Sequence, residues 1–175
     1  MDHRPDEPTE PEAPQDKRRF NLLFVCTGNT CRSPMAEVIA RRALAERGWS
    51  HVEVRSAGVG GWDGSGPSGG AVRAAARSGL DLSAHEATYL SPEVAEWADL
   101  ILTMSPSHVV RLAELGAGER TALLPAYAAA VDGPELPAAV SDPIGGPDEE
   151  YFATFDLLGH LIHRVLQRLE PVLSE

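Results

Sequence analysis

The run Cys26-Thr27-Gly28-Asn29-Thr30-Cys31-Arg32-Ser33 sets five residues between a thiol and a guanidinium, a glycine and an asparagine among them. That arrangement can wrap a ring of backbone N–H groups around a phosphate, with a sulfur nucleophile at its base. The N–H groups of Thr27, Gly28, Asn29, Thr30, Cys31 and Ser33 are candidate donors to the dianion. Arg32 adds a planar fork for two phosphate oxygens. The same positive field favours a thiolate at Cys26, which can attack phosphorus. The Ser33 hydroxyl can donate to that sulfur and steady it as the leaving group of a second step. Charge builds on equatorial oxygens in the transition state, and preformed donors can stabilise it there; no metal or cofactor is expected.

The spacing alone says little, because the chain has two cysteines and 14 arginines and short motifs match by chance. Context gives it weight. Phe20–Val25 is an apolar run that reads as a buried first strand. Gly28 permits close backbone approach, and Asn29 tolerates a left-handed turn that points successive N–H groups inward. Pro34 opens a helix through Leu44, stopped by Gly48, whose positive end faces the same cavity.

Further along, His51–Arg55 reads as a second strand and residues 57–70 as a glycine-rich loop holding Trp62. Ala71–Arg77 and Glu93–Trp97 read as short helices, Asp99–Met104 as a third strand, Ser107–Leu115 as a helix and Thr121–Leu124 as a weaker fourth strand. Pro125–Pro147 reads as loop with an alanine-rich turn. Glu149–Leu169 is the longest helical pattern, with Phe152, Phe155, Leu158, Ile162, Val165 and Leu169 on one stripe. Alternating strands and helices predict an α/β fold of Rossmann-like type: one domain, a four-stranded parallel sheet, helices on both faces. Ligands of such folds bind beyond the carboxyl ends of the strands, where the Cys26 loop falls.

The whole chain agrees with one catalytic domain, 20–172, behind a charged, proline-rich tail, 1–19, that cannot offset its ordering entropy. A net charge of -11 over 175 residues argues against a nucleic-acid face. Two cysteines five positions apart do not make a secreted disulfide framework, so a reducing cytoplasm is expected. No run is apolar enough for a membrane span, and no secretory signal is expected at the first residues. A monomer is expected. The two cysteines and scattered histidines make a poor zinc site.

Val25 to Glu37, Val-Cys-Thr-Gly-Asn-Thr-Cys-Arg-Ser-Pro-Met-Ala-Glu, resembles the signature of the low-molecular-weight protein phosphatases. Arg55-Ser56-Ala57-Gly58, His85, Ala98 to Met104 and Asp142-Pro143 follow in the family's order, so the likeness covers about residues 20–170. It implies Cys26 as nucleophile, Arg32 as phosphate clamp, and Asp142 as general acid and then base for the attacking water. It also implies Asn29, Ser56 and His85 as supports of the loop. Chemistry independently requires a carboxylic acid at the pocket, but it does not pick Asp142 from 26 acidic residues.

Substrate choice is read at three positions. Thr30 resembles the protein-arginine phosphatase branch, where tyrosine-directed members carry a larger aliphatic residue. A threonine hydroxyl can accept a guanidino N–H that isoleucine would leave unpaired, at about 1–3 kcal/mol. The bland alternative is a small residue tolerated at a turn. Ile144-Gly145-Gly146 lacks the aromatics that tyrosine-directed members place after Asp-Pro, which again resembles the arginine branch. Trp62 suits either substrate as a pocket wall, or packs on the sheet edge. Cys31 suits a protective disulfide with Cys26 or a small buried apolar role. An arsenate reductase shares the loop but needs further cysteines, and a non-catalytic phosphate-binding module predicts loss of nucleophile, clamp or acid.

Overall fold

β1 (Phe20–Cys26) is the centre of the molecule, and its residues Leu22 to Cys26 are buried on both faces. It pairs in parallel with β2 (Val52–Gly58) on one side and β3 (Leu100–Thr103) on the other, and β4 (Thr121–Leu123) completes the order β2-β1-β3-β4. The computed structural model describes residues 17–129 and 136–174; most of the expected tail and part of the alanine-rich turn lie outside them.

The period of two along β1 splits the core. Leu22, Phe24 and Cys26 face α1 (Arg32–Arg47), α2 (Gly69–Ala76) and the helices near the C-terminus. Leu23 and Val25 face Ala95 and Ala98 around α3 (Pro92–Trp97) and Leu112 of α4 (Pro106–Glu114). Helices therefore cover both faces, as expected of a parallel sheet whose strands read as continuous apolar runs. Strand order runs outward from β1 to β2 and returns to β3, which opens a crevice at the carboxyl end of β1. The Cys26–Ser33 loop fills that crevice.

Some boundaries differ from the sequence reading. The first helix begins at Arg32, two residues before Pro34. Its end at Gly48 is as expected, with φ 70° there. β2 continues to Gly58, because Gly58 pairs with Cys26 and its N–H meets the Thr88 carbonyl at 2.9 Å. Residues 57 and 58 thus belong to the sheet. Leu124–Ala128 forms a short helix, α5, where the end of the fourth strand and then loop were expected; Leu124 and Ala128 are buried in the core they share with the last helix. That helix, α6 (Asp148–Leu173), runs past Leu169 and carries Pro171 near its end. Its stripe is buried as expected except Phe152, which is half-buried with the Arg77 guanidinium 4.1 Å above its ring.

Candidate active site

Asn29 shapes the loop after β1. It is fully buried, and it alone among the described non-glycine residues has positive φ, at 55°. Its side chain offsets that strain. The amide Nδ2 donates to Ser33 Oγ at 2.8 Å, and Oδ1 accepts the Thr88 backbone N–H at 2.9 Å. Its carbonyl accepts from His85 Nε2 at 2.8 Å. Because Asn29 donates to Ser33, the Ser33 proton is free to point elsewhere. Cys26 Sγ lies 2.8 Å from that oxygen and the Ala57 carbonyl 3.5 Å, so the sulfur is the nearer acceptor. The chain Asn29 to Ser33 to Cys26 delivers a hydrogen bond to the sulfur.

Backbone packs most closely on the loop at Gly58. A Cβ at Gly28 would meet only Thr30 Oγ1, at an ordinary 3.5 Å. A Cβ at Gly58 would stand 2.6 Å from the Thr27 carbonyl oxygen and 2.8 Å from Asn29 N. The end of β2 is pressed against the loop, and the bonds Val59 N–H to Cys26 O (3.0 Å) and Gly60 N–H to Thr27 O (2.9 Å) hold it there.

Behind the loop stands a pair of ionisable side chains that residue spacing did not reveal. His85 Nε2 serves the Asn29 carbonyl, and Nδ1 lies 3.8 Å from Glu37 Oε2. Glu37 also accepts from Arg41 Nη2 at 3.1 Å and from Ser56 Oγ at 3.4 Å. Burial pushes the Glu37 carboxyl above the usual range, opposed first by Arg41 and then by His85. Ser56 and His85 therefore reach the loop through one cluster, Ser56 by way of Glu37.

Arg32 lies across the mouth and is 5 % exposed. Nη1 donates to the Val140 carbonyl at 3.0 Å, and Nη2 to Thr27 Oγ1 at 3.2 Å. Nη2 also faces Asp142 Oδ2 at 3.5 Å. Nε is buried with no hydrogen-bond partner among the described residues, a donor suited to an anion in the ring. Asp142 Oδ1 accepts the Ile144 N–H at 3.2 Å. Arg32 thus bridges Asp142 and Thr27, the residue that follows Cys26.

His108 is a second residue the sequence reading missed. It is 1 % exposed in the first turn of α4, with Nε2 3.0 Å from Thr27 Oγ1 and Nδ1 accepting the Ser105 N–H at 3.2 Å. Burial, and then the Arg32 cation, hold its ring down to about 4, with Asp142 opposing. Ser105-x-x-His108 has the spacing of a capping box, a signal that could have drawn attention to it.

Cys31 and Cys26 are free thiols. Ser68 Oγ donates to the Thr30 carbonyl at 3.2 Å, which leaves the Cys31 thiol to donate to Ser68 Oγ at 3.1 Å. Tyr151 OH is 3.7 Å from the same sulfur, and its ring fits because residue 70 has no Cβ. Cys31 is therefore more than a small apolar filler. Among the described residues Thr30 Oγ1 has one long contact, 3.7 Å to Cys31 Sγ. Trp62 is 82 % exposed and so is not packed on the sheet edge; Ile144 is 63 % exposed. Among the described residues no group of His, Cys, Asp and Glu side chains is arranged to hold a metal ion, and no helix is long and apolar enough to cross a membrane.

Residues 21–173 match the family described as low molecular weight phosphotyrosine protein phosphatase. A protein-arginine-phosphatase of Geobacillus stearothermophilus is 37% identical over 153 residues, covering 86% of this chain and 97% of that one. A low molecular weight protein-tyrosine-phosphatase of Streptomyces coelicolor is 40% identical over 138 residues, 74% of this chain and 81% of its own. The solved arginine phosphatase from G. stearothermophilus superposes with a TM-score of 0.76 at 35% identity, over 87% of this chain and 94% of that one.

Proposed function

The chain belongs to the low molecular weight phosphotyrosine protein phosphatase family and is a protein phosphatase, and from that premise we propose that it works through Cys26, Arg32 and Asp142, with phosphoarginine as the preferred substrate. The Cys26 thiolate attacks phosphorus while the bond from phosphorus to the leaving atom breaks. Asp142 gives that atom its proton. A water then attacks the cysteinyl phosphate, Asp142 takes the water's proton, and the sulfur leaves as a thiolate with the Ser33 hydrogen bond waiting for it. The loop N–H groups and the Arg32 fork bear the developing charge in both steps. The observation that supports this most is the 2.8 Å approach of Ser33 Oγ to Cys26 Sγ, oriented by the Asn29 amide. The catalytic unit is taken as residues 20–172, acting as a cytoplasmic monomer on phosphorylated proteins.

The preference for phosphoarginine rests on Thr30. Among the described residues its hydroxyl makes only the long contact to Cys31, which leaves acceptor capacity for a guanidino N–H. The segment Asp142-Pro143-Ile144-Gly145-Gly146 offers no aromatic ring to stack on phosphotyrosine. A tyrosine phosphatase is the second reading, supported by the exposed Trp62, whose indole is free to face an aromatic substrate. Turnover on phosphoarginine and phosphotyrosine peptides decides between them. We expect the wild type to favour phosphoarginine and Thr30→Ile to lose about ten-fold or more of that preference, the value of one unpaired buried donor. An unchanged preference in Thr30→Ile would sink the argument.

A further inference from the structure

We propose that His108 is a positioning residue of the phosphatase reaction: through the Thr27 hydroxyl it holds the Arg32 guanidinium away from Asp142 and toward the phosphoryl oxygens. The inference rests on the phosphatase reading above and deepens it. Thr27 and His108 are 81 residues apart, so the contact exists only because α4 and the Cys26 loop meet at the carboxyl end of the sheet.

The hydrogen bonds fix the tautomer. The Ser105 backbone N–H can only donate, and it donates to Nδ1 at 3.2 Å. The ring proton is therefore on Nε2, which donates to Thr27 Oγ1 at 3.0 Å. That oxygen also receives Arg32 Nη2 at 3.2 Å. Both acceptor sites of the hydroxyl are filled, so its position is set from two sides.

Neutrality matters as much as geometry. A lysine or a charged imidazolium beside Arg32 would repel it and compete for the same phosphate. Burial and the Arg32 charge keep His108 neutral down to about 4, against the pull of Asp142. These two are the charged groups facing the ring; Thr27 and Ser105, its other partners, carry none. The ring thus supplies a donor without a charge.

The competitor for Nη2 is Asp142 Oδ2, at 3.5 Å. A relaxed guanidinium–carboxylate pair closes to about 2.8 Å. The Thr27 bond holds Nη2 back from that collapse, which keeps the Asp142 carboxyl available to the leaving group. Without it, Arg32 and Asp142 would close on each other, and the acid would be harder to protonate.

The experiment measures kcat, KM and the inhibition constant of inorganic phosphate against pH for the wild type, Thr27→Val, His108→Phe, the double variant and His108→Gln. Thr27 is exposed, so Thr27→Val keeps the test alive if His108→Phe does not fold. Each single apolar variant should lower kcat and weaken phosphate inhibition by about ten-fold, the value of one hydrogen bond to a charged group. The alkaline limb of the kcat profile should move to lower pH. The double variant should be no worse than either single, and His108→Gln, which can still donate to Thr27, should recover part of the loss. Additive losses, an unmoved limb, or His108→Phe with wild-type kcat and phosphate inhibition would each overturn the proposal. A wild type inactive on every phosphorylated substrate would instead remove the phosphatase reading beneath it.

Discussion

Asn29 and Asp142 stand at one mouth on loops of opposite character. The loop from Cys26 to Ser33 is anchored at almost every residue. Asn29 is fully buried with three hydrogen-bond partners, Ser33 is buried between Asn29 and Cys26, and the end of β2 is pressed against its backbone. The segment around Asp142 is held at its ends. Val140 joins Met104 and Arg32 at the near end, and Asp148 pairs with Arg73 through two 2.8 Å bonds at the far end. Between them the Asp142 side chain is 38% exposed, and Gly145 takes φ 77°. The phosphoryl group is the same for every substrate, so its cradle profits from rigidity. Leaving groups vary, and an acid on a less anchored loop can follow them.

The sharpest way to break this contrast is Cys26→Ser. Turnover should vanish while inorganic phosphate still binds, because the loop donors and Arg32 remain; calorimetry with phosphate alongside a turnover assay reads both. Near-normal activity would end the mechanism. Asp142→Asn should come next. Loss of a general acid costs about 10²–10⁴-fold, and here it should fall on substrates with poor leaving groups and spare activated aryl phosphates. A uniform loss across leaving groups would mean that Asp142 shapes the loop instead of donating a proton.

A pair of alanine substitutions tests the rigidity directly. At Gly58 the new Cβ would meet backbone at 2.6 Å, so the phosphate loop must move; we expect about 1–3 kcal/mol of lost stability, with lower kcat. At Gly146 the nearest atoms are the carboxylate end of Glu150, a flexible side chain that can swing away, and the backbone, met at the Pro143 carbonyl oxygen, stands farther off at 3.0 Å. Its effect on melting should be small. Equal effects at the two sites would erase the distinction between the loops.

The smallest expected effect is on acid stability. His108 has a usual value of 6.5 and a folded-state value of about 4. Between these the unfolded chain binds the proton more readily, so the His108 contribution is whole above 6.5 and is lost as pH falls toward 4. Glu37, raised by burial, acts with the opposite sign. Tm measured from pH 7 to pH 4 should therefore fall less steeply in His108→Gln than in the wild type. Parallel slopes would mean that His108 is not buried as a neutral ring.

The chemistry was legible because it is local. Cys26, Asn29, Arg32 and Ser33, the residues proposed to act, lie within one loop, and the apolar run before them places that loop at the end of a strand. Asp142 needed the resemblance, since an exposed aspartate on a loop looks like any solvated carboxylate. Pro125–Ala128 read as loop because the helix there draws on burial beside α6 more than on its own pattern. Glu37 and His108 were hidden for another reason. Both are polar groups at helical positions whose partners lie far away in sequence, 48 residues for Glu37 with His85 and 81 for His108 with Thr27.

The sequence by itself determined the residues of the proposed reaction centre: a thiol, an asparagine that tolerates a left-handed turn and a guanidinium within eight residues, because loop curvature and helix initiation are set by neighbours in the chain. Only the tertiary structure decided which groups stand behind that centre. The close approach of Gly58, the Glu37–His85 pair under the Asn29 carbonyl, and the neutral His108 between Ser105 and Thr27 all arise where separate βα units meet. There, burial sets protonation and partner, and spacing along the chain shows at most the local contact of His108 with Ser105, not the distant ones.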